Sequence, residues 1–581
     1  MVDVKEESFE SLVVADFGRG LSRAYLLEQV AGSFRFVAKA EGRTTTDLPH
    51  EDLTIGWQHL LRQLEWLTGR ELTTRDRLTM PQVNSGDGVD ALLVCSTLAE
   101  PVRVAVLEAG TSPVTGPLLD SLKRANTRVF HVAAPSGRKD GGWAASQMEA
   151  LRSFLPEMAI MVVGGNSAEA LPRIHQVAKG ASLVGSLLRA VVIAEGPAQE
   201  QSVGAFQGKT KVRTVSPAVR LPNEIANEIE RELMEAFRAR LNTPDFAEVT
   251  KDASRGVISR AHAVDLVNRF IARAFSRRVL TIGIDDGMHV HWANGDQGTM
   301  ATAPNVDLAG FITGLGSREV AEATLWLPFE ATEDELITWV LNRSIRPWTL
   351  PDSPRDKAIE QALARQIIRR GLAEISRSQP MALNGVDLVI GGPIFARWNQ
   401  PGAAALALLD SVDVVPNDGV LDLAIDQDGL MAVAGTIGTI EPALASSVFE
   451  FDTLIHLGSA VIIGGSTHDG ELACRGEIHY ETGEMAQFTV LAGGLEVLPL
   501  RAGETATLVL RPERKYSVGG HPTGKTVTLA DERKIIGGSV GVIIDARSRS
   551  LSTPGSGRHV KVKQWLDAVT GAKAPTIRRQ S

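Results

Sequence analysis

Cysteine is scarce in this chain of 581 residues, because Cys95 and Cys474 are the only two and lie far apart. Two distant cysteines offer no metal-ligand spacing and favour a reducing compartment, so we expect a cytoplasmic protein. No apolar run reaches membrane-spanning length, since the nearest, residues 181–194, is too short and contains Arg189. The acidic first ten residues lack the apolar core of a signal peptide.

Long runs of basic residues are also absent, and the net charge is −9, which argues against nucleic acid as the main partner. No serine-nucleophile elbow, HExxH or CxxC pattern occurs. The hydrophobic content of 44% and charged content of 22% are typical of a globular protein. At this length we expect two to four domains.

Residues 12–28, LVVADFGRGLSRAYLLE, are the stretch around which the chain is organised. A β-branched and apolar run, a glycine-rich turn and a second apolar run predict a strand, a tight turn and another strand. Five residues in and around the turn have candidate binding roles: Asp16, Gly18, Gly20, Ser22 and Arg23. The glycines let backbone N–H groups approach phosphate oxygens, the serine and arginine add donors, and the aspartate can orient Mg²⁺. A hairpin whose glycines serve only the turn explains the same residues.

Helix and strand patterns alternate after this stretch and predict an α/β fold with a largely parallel sheet. One arrangement occurs twice, namely a hairpin with glycine and aspartate in its turn, followed later by a strand, a glycine pair and a helix. The second hairpin is predicted at residues 279–293, VLTIGIDDGMHVHWA, and its turn contains Gly283, Asp285, Asp286 and Gly287. The glycine pairs are Gly164–Gly165 and Gly391–Gly392.

This repeat predicts two related α/β halves that face each other across a cleft. A nucleotide would lie in the cleft, with the hairpin turns around its phosphates and a glycine pair against its base or ribose. Ordinary turns between strands and helices also account for the glycine pairs.

The sequence pattern changes near residue 449, where helical periodicity stops and short strands alternate with turns. This change predicts a separate all-β region resembling a small barrel. We therefore predict five segments: a first lobe at 1–195, a helical linker or insertion at 196–278, a second lobe at 279–448, a β-rich domain at 449–550 and a polar tail at 551–581.

Two further patterns are weaker. Residues 519–526, GGHPTGKT, have the spacing of a phosphate-binding P-loop, but a charged stretch precedes them and a strand pattern follows, so a β-turn is favoured. His289 and His291 alternate on a predicted strand and project to one face. A metal site would need further ligands, and a solvated strand face is the preferred interpretation.

Four stretches together resemble a known family: ADFGRGLSRAYLLE at 15–28, LLVCSTLAEPVRVAVL at 92–107, PEMAIMVVGGNSAEAL at 156–171 and VDLVIGGPIFAR at 386–397. The halves resemble the superfamily of acetate and sugar kinases, heat-shock chaperones and actin. Within it, the chain is most similar to the glutamate mutase accessory family called GlmL or MutL, over residues 10–450. The resemblance implies two duplicated actin-like (ribonuclease H-like) lobes with a cleft that binds ATP or ADP and Mg²⁺. The C-terminal all-β region lies outside the core pattern.

The family motifs map onto this chain residue by residue. Asp16, Gly18 and Ser22 match the first phosphate motif, with Arg23 where lysine is usual, and the glycine pair at 391–392 matches the adenosine motif. The second phosphate motif, close to Asp-Ile-Gly-Gly-x-Thr-Thr-Asp, departs here. Its first aspartate is replaced by Thr281 and its last by Met288, and two aspartates of the turn are the candidates to compensate: Asp285 and Asp286.

We accordingly predict catalytic roles for Asp16, Asp285 and Asp286, with Asp16 as the magnesium ligand. The predicted nucleotide contacts are Gly18, Gly20, Ser22, Arg23, Thr281, Gly283, Gly287, Gly391 and Gly392. The first hypothesis is an ATP-binding, chaperone-like accessory protein with weak ATPase activity, whose partner by resemblance is an adenosylcobalamin-dependent mutase or a related protein. The alternative is a scaffold with a degenerate nucleotide site, and a small-molecule kinase is third, because losing carboxylates weakens phosphoryl transfer. Neither nucleic acid nor membrane is expected as a partner.

Overall fold

The computed structural model describes residues 9–83, 86–99, 102–124, 127–134, 142–183, 186–206, 208–241, 243–254, 256–295, 297–303, 317–346, 349–378, 383, 385–412, 416, 418–465, 469–530, 534–547, 557–571 and 577–580. The chain forms two compact units. The main unit contains Met1–Cys95, Ala263–Gly298 and Ala303–Ser581, and the inserted unit contains Ser96–His262 and Thr299–Thr302. Among the described residues, no helix combines the length and the apolar content needed to cross a bilayer.

The main unit begins with a three-stranded antiparallel meander. Its elements are β1 (Ser11–Phe17), β2 (Leu21–Val30), β3 (Ser33–Arg43), α1 (Leu53–Thr68), β4 (Thr73–Thr74), β5 (Arg77–Leu78) and β6 (Ala91–Ser96). Four neighbouring strands of this sheet follow the order β6-β1-β2-β3. Because β1 and β2 are antiparallel and joined by a short turn, Asp16 lies directly opposite Arg23. Helix α1 begins after Asp52, whose side chain accepts a hydrogen bond from the Thr54 amide, and ends at Gly69, which has a φ of 71°.

The inserted unit is a parallel sheet with helices on both faces. Its elements are β7 (Val102–Ala109), α2 (Thr115–Arg124), β8 (Thr127–Ala133), α3 (Trp143–Phe154), β9 (Met158–Val163), α4 (Leu171–Ser182), β10 (Arg189–Ile193), α5 (Gly196–Gly204), β11 (Lys211–Val215), α6 (Pro222–Arg240), α7 (Pro244–Thr250) and β12 (Ile258–Ser259). The order β8-β7-β9-β10-β11, with parallel pairing throughout, is a common doubly wound order. Successive residues of β7 face opposite cores, since Ala105 and Leu107 pack on one side and Val104 and Val106 on the other.

The main unit resumes with a second hairpin. The elements of this part are α8 (Arg260–Ala274), β13 (Arg278–Ile284), β14 (Met288–Asn294), β15 (Gln297–Ala303), α9 (Ser317–Thr324), α10 (Glu333–Ile345), α11 (Pro354–Ser378), β16 (Leu388–Gly391), α12 (Pro401–Ser411), β17 (Val420–Ile425), α13 (Leu430–Gly438) and α14 (Pro442–Val448). Strand β13 is antiparallel to β14 and parallel to β16, and β17 is parallel to β16. As in the first meander, the first hairpin strand has a later strand on its other side.

The C-terminal region consists mainly of strands. Its elements are β18 (Ile455–Gly465), β19 (Leu472–Tyr480), β20 (Met485–Leu491), β21 (Leu495–Leu498), β22 (Thr505–Pro512), β23 (Tyr516–Val518), β24 (Val527–Leu529), β25 (Ile535–Ile536), β26 (Gly541–Asp545), α15 (Arg558–Val569) and β27 (Ile577–Gln580). Strand β18 pairs with β17, so this region continues the sheet of the second hairpin instead of standing apart from it. Val420 of β17 shares a core with Val461, Phe488 and Leu508 of the later strands.

The boundaries of the two units differ from the segments predicted from the sequence. Residues 96–262 belong to the inserted unit, and strands β7 to β11 form a sheet separate from that of the first hairpin. Gly164 and Gly165 follow β9 of the parallel sheet, so they are not the counterpart in the first hairpin's sheet of the glycine pair at 391–392. The physical reason is that a strand, a glycine turn and a helix form a local pattern that any parallel βα unit can contain.

The P-loop-like residues 519–526 connect two short strands, β23 and β24. The amide of His521 donates to the carbonyl of Val518 at 3.0 Å, and the amide of Lys525 donates to that of Pro522 at 3.3 Å, so each bond closes a four-residue turn. A strand and not a helix follows, so the helix N-terminus that a P-loop needs is missing from this described segment. The β-turn interpretation is confirmed.

Candidate functional site at two glycine turns

The first turn, residues 18–20, is held in shape by hydroxyl groups. The Thr44 hydroxyl donates to the Gly18 carbonyl at 2.6 Å and lies 2.7 Å from the Ser22 hydroxyl. The amide of Gly18 donates to the carbonyl of Leu21 at 3.1 Å. Ser22 is buried, so its hydroxyl contributes to the turn and is not directed at solvent.

Asp16 lies under this turn at the end of β1 and is only 2% exposed. Its carboxylate is 3.7 Å from an Arg23 guanidinium nitrogen, and it accepts a hydrogen bond from the Cys95 Sγ at 3.4 Å. Arg23 also bonds Glu41, with 2.6 Å between Nε and Oε2. Burial alone would raise the pKa of Glu41, but the Arg23 guanidinium outweighs it and holds that pKa below its ordinary value. The predicted magnesium ligand is therefore buried and balanced by an arginine.

The second hairpin places different residues at the equivalent positions. Gly283 pairs with His289 across β13 and β14, as Asp16 pairs with Arg23 across β1 and β2. A Cβ atom on Gly283 would overlap the His289 ring, so the glycine is required by the close approach of that ring. The second hairpin thus has no carboxylate where the first has Asp16.

A buried polar chain leads from the second turn toward helix α8. Nδ1 of His289 lies 2.9 Å from Nε2 of His291, and Nε2 of His289 lies 3.6 Å from the Asp285 carboxylate. His291 is fully buried, and burial lowers its pKa to about 4, so it is neutral at physiological pH. Its Nδ1 is 3.8 Å from the Asp265 carboxylate of α8. The two histidines are directed at the interior and not at a solvated face.

Thr281, a predicted nucleotide contact, faces this same interior. Its hydroxyl donates to Oδ1 of Asn268 on α8 at 2.7 Å, and both residues are buried. It lies two residues before Gly283, which is the second-to-last residue of β13, as Asp16 is of β1. The Thr281 side chain therefore lies between its own strand, β13, and helix α8.

The two turns meet directly through Asp286. Its carboxylate accepts hydrogen bonds from two successive backbone amides of the first turn, with Oδ2 2.7 Å from the Arg19 nitrogen and Oδ1 3.1 Å from the Gly20 nitrogen. The Arg19 guanidinium donates in return to the Asp286 carbonyl at 2.7 Å. The turns near Gly18 and Gly283 are in direct contact, and two amides of the first turn hold a carboxylate. The nucleotide cleft expected between the two halves stays a prediction.

Glycines 391 and 392 allow close packing behind the second hairpin. A Cβ on Gly391 would lie 2.5 Å from the Phe395 ring, and one on Gly392 would lie 3.2 Å from the Gly283 Cα. The Gly392 amide donates to the Ile282 carbonyl at 2.8 Å. These contacts account for both glycines as packing positions. Gly287 closes its own turn by accepting a hydrogen bond from the Asp285 amide at 3.0 Å.

Asp426 is a buried acid near this site that the sequence reasoning missed. It follows β17, and its carboxylate accepts from the Leu430 and Met431 amides at 2.7 and 3.0 Å, at the start of α13. Its own amide donates to the Gly391 carbonyl at 2.8 Å. Burial raises its pKa to about 7, although the amides oppose the shift. An aspartate directly after an apolar strand and just before a helix was the available signal.

The predicted magnesium ligand and the neighbouring acid are both engaged within the protein. Asp16 is buried beside Arg23, and Asp286 is bonded to the first turn. Within the described ranges, no group of three or more His, Cys, Asp or Glu side chains is placed to hold a metal ion. Because Mg²⁺ in nucleotide sites is commonly held by one or two carboxylates, waters and substrate phosphates, the role of Asp16 in holding it stays a prediction.

Comparisons with known proteins give distant structural neighbours only. No protein-family model matches the chain, and no curated protein matches its sequence. A ROK family glucokinase from Streptomyces griseus, solved with glucose and AMPPNP, is 10% identical, with 74% of this chain and 98% of that chain covered and a TM-score of 0.27. Porphyromonas gingivalis acetate kinase is 10% identical, with 74% and 100% covered and a TM-score of 0.26. Xylulose kinase from Bifidobacterium adolescentis is 10% identical, with 76% and 93% covered and a TM-score of 0.24. Because these scores and identities are low, none of the three assigns a fold or an activity to this chain.

Proposed function

We propose that this chain is a degenerate actin-like protein that acts by binding a protein partner and does not turn over ATP. The repeated hairpin supports the duplicated-lobe part of the proposal. Strand β1 lies between β2 and β6, and β13 lies between β14 and β16. Two copies of one hairpin-and-strand arrangement are what descent from a single lobe would produce.

The observation that carries the proposal is the replacement of the Asp16–Arg23 pair by Gly283–His289. Phosphoryl transfer depends on positioned positive charge, and carboxylate-held metal ions usually supply it. The first hairpin offers one buried carboxylate that faces an arginine, and the matching position of the second offers none. Charge stabilisation of a transferring phosphoryl group is therefore weak.

The aspartates of the second turn do not restore the missing carboxylate. The Asp285 carboxylate accepts the Asp286 amide at 2.6 Å and lies near His289. The Asp286 carboxylate is bonded to the amides of Arg19 and Gly20. Both groups serve contacts within the protein, as expected for a structural role.

The partner comes from the family resemblance alone, which implies an adenosylcobalamin-dependent mutase or a related protein. We expect the full chain to co-purify with such a partner from its native cell. The nearest competing function is an accessory factor that acts on the same partner by binding and hydrolysing ATP.

Phosphate release by the purified full chain with Mg²⁺ and ATP separates these functions. We expect the same background release from the wild type and from Asp16→Asn, because no turnover depends on Asp16. The result that would overturn the proposal is steady release by the wild type that Asp16→Asn abolishes. Addition of the co-purified partner to both reactions tests whether the partner activates turnover.

A further inference from the structure

The first turn holds an anion, and that anion is part of the chain. The carboxylate of Asp286 accepts one hydrogen bond at each oxygen, from two neighbouring amides, at 2.7 and 3.1 Å. We call this arrangement the turn–carboxylate contact, formed by Arg19, Gly20 and Asp286. Successive backbone N–H groups that converge on one point are a common way to bind an oxyanion.

The charge of the surroundings favours an anion at this point. The guanidinium of Arg19 lies beside the amides and donates to the backbone carbonyl of Asp286 at 2.7 Å. Charged acceptors make shorter and stronger hydrogen bonds to backbone amides than neutral ones do. A phosphate oxygen pair could use the same two donors, because it presents charge and acceptors in the same way as a carboxylate.

Solvent can reach the turn–carboxylate contact. Arg19 is exposed, whereas Gly20 and Asp286 are half-buried. The contact joins a residue of the first hairpin to one of the second across 267 positions of sequence. Breaking it would therefore free two amides without opening the core, since the buried residues Asp16 and Ser22 lie beneath the turn.

The adjacent carboxylate makes different contacts. Asp285 accepts the amide of Asp286 and lies 3.6 Å from His289, so it supports its own turn. Two neighbouring acids thus have separate tasks, because the Asp286 carboxylate accepts the hydrogen bonds from the two amides of the first turn.

We propose that Asp286 is a built-in competitor for phosphate, which fills the oxyanion site of the first turn and leaves it unavailable until the two turns separate. The ligand class is a phosphate group, either free or at the end of a nucleotide. This inference goes beyond the proposed function, because it concerns anion binding and requires no turnover.

Titration calorimetry on the wild-type chain and on variants at Asp286 tests whether this carboxylate competes with phosphate. Inorganic phosphate, pyrophosphate and ADP are titrated separately, without Mg²⁺, into the wild type, Asp286→Ala and Asp286→Asn. We expect at least about a tenfold gain in phosphate affinity in Asp286→Ala, and a smaller gain in Asp286→Asn, whose neutral amide still offers one acceptor. If Asp286→Ala gains affinity for phosphate and pyrophosphate alone, the turn is a site for free phosphate. If its affinity for ADP rises more, the turn is a nucleotide site.

Glu484→Ala is the matched control, because it removes one negative charge from an exposed turn between β19 and β20. It should bind the three ligands as the wild type does, so a gain there would assign the effect to net charge and overturn the proposal. Equal affinities of wild type and Asp286→Ala would overturn it too.

Amide hydrogen exchange provides the readout that does not depend on a ligand. The amides of Arg19 and Gly20 should exchange faster in Asp286→Ala and slow again when phosphate is added, while those of β1 stay protected and report an intact fold. If exchange is faster in Asp286→Ala but none of the three ligands slows it, the proposal is overturned, because the contact then only holds the two turns together. ATP turnover by the wild type would contradict the proposed function and leave this test unaffected.

Discussion

The two hairpins share a backbone plan and differ in the chemistry at one position. In the first, Asp16 faces Arg23 beneath a turn whose amides hold an anion. In the second, Gly283 faces His289, and the histidine ring fills the space that a side chain on the glycine would need. A repeated fold element can therefore keep its strand pairing while its side chains change from a charged pair to a packed one.

The position of the polar groups follows from this difference. In the first hairpin, the buried Asp16 lies beside Arg23, which also bonds the partly exposed Glu41. The second directs its polar groups into the interior, where His291 is fully buried and neutral. A charge is costly to bury without a partner, so the Asp16 carboxylate lies beside Arg23, whereas the neutral His291 ring needs no counter-charge.

An aspartate at position 283, which imitates Asp16 of the first hairpin, should have the largest effect on stability. Gly283→Asp would push a carboxylate into the His289 ring and bury a charge without its arginine. We expect the free energy of unfolding to fall by about 5 kcal/mol, from overpacking and an unpaired buried charge together. Chemical denaturation of the full chain measures the loss.

The double variant Gly283→Asp with His289→Arg should recover part of that loss, because it recreates the pair that Asp16 and Arg23 form. Gly204→Ala is the control, since a Cβ there would meet nothing within 4 Å. A stable Gly283→Asp variant would show that the second hairpin tolerates the charged pair.

Asp426 provides a pH test of the second half. Its folded pKa of about 7 exceeds the ordinary 3.8, so the folded state binds the proton more tightly. The stability that this group contributes should fall as pH rises from about 4 to about 7, by up to about 4 kcal/mol. The unfolding free energy of the wild type should therefore fall relative to that of Asp426→Asn as pH rises over that window, because asparagine does not titrate. A difference independent of pH would contradict the buried, protonated acid.

His291 should show the opposite dependence. Burial depresses its pKa from 6.5 to about 4, so the unfolded chain binds the proton first on acidification. Stability should be lost as pH falls from about 6.5 toward 4, by up to about 3 kcal/mol. His291→Gln should remove this loss while it retains a polar partner for His289. Denaturation midpoints of both proteins at several pH values would measure it, and parallel curves would refute it.

Glu41 should produce the smallest effect, because its side chain is partly exposed. Its pKa is held below the ordinary 4.5 in the folded state by Arg23. The stability of this pairing is present above about pH 4.5 and is lost as pH falls below it. Glu41→Gln should flatten only that acidic limb of the curve. The two hairpins would then differ in their pH windows as well as in their side chains.

Much of the local structure could be predicted from the sequence. The α/β class is confirmed, and so are the hairpins at 12–28 and 279–293, because alternating apolar strands and glycine turns are short-range signals. Roles of the predicted catalytic and nucleotide-contacting residues stay predictions.

The pairing of distant segments could not be predicted. Gly164 and Gly165 follow a strand of the separate parallel sheet, and β18 continues the sheet of the second hairpin. The strand register that pairs Gly283 with His289 is also known only from the folded structure. A single sequence contains no direct information about which strands become neighbours.

By itself, the sequence determined where the chain turns and which segments are apolar enough to form strands and helices. The tertiary structure decided that Asp286 reaches the amides of Arg19 and Gly20, and that a histidine ring lies over Gly283. Turns depend on neighbouring residues, whereas those two contacts depend on how separate strands pack. The distance along the chain between Arg19 and Asp286 is why only the folded structure could bring them together.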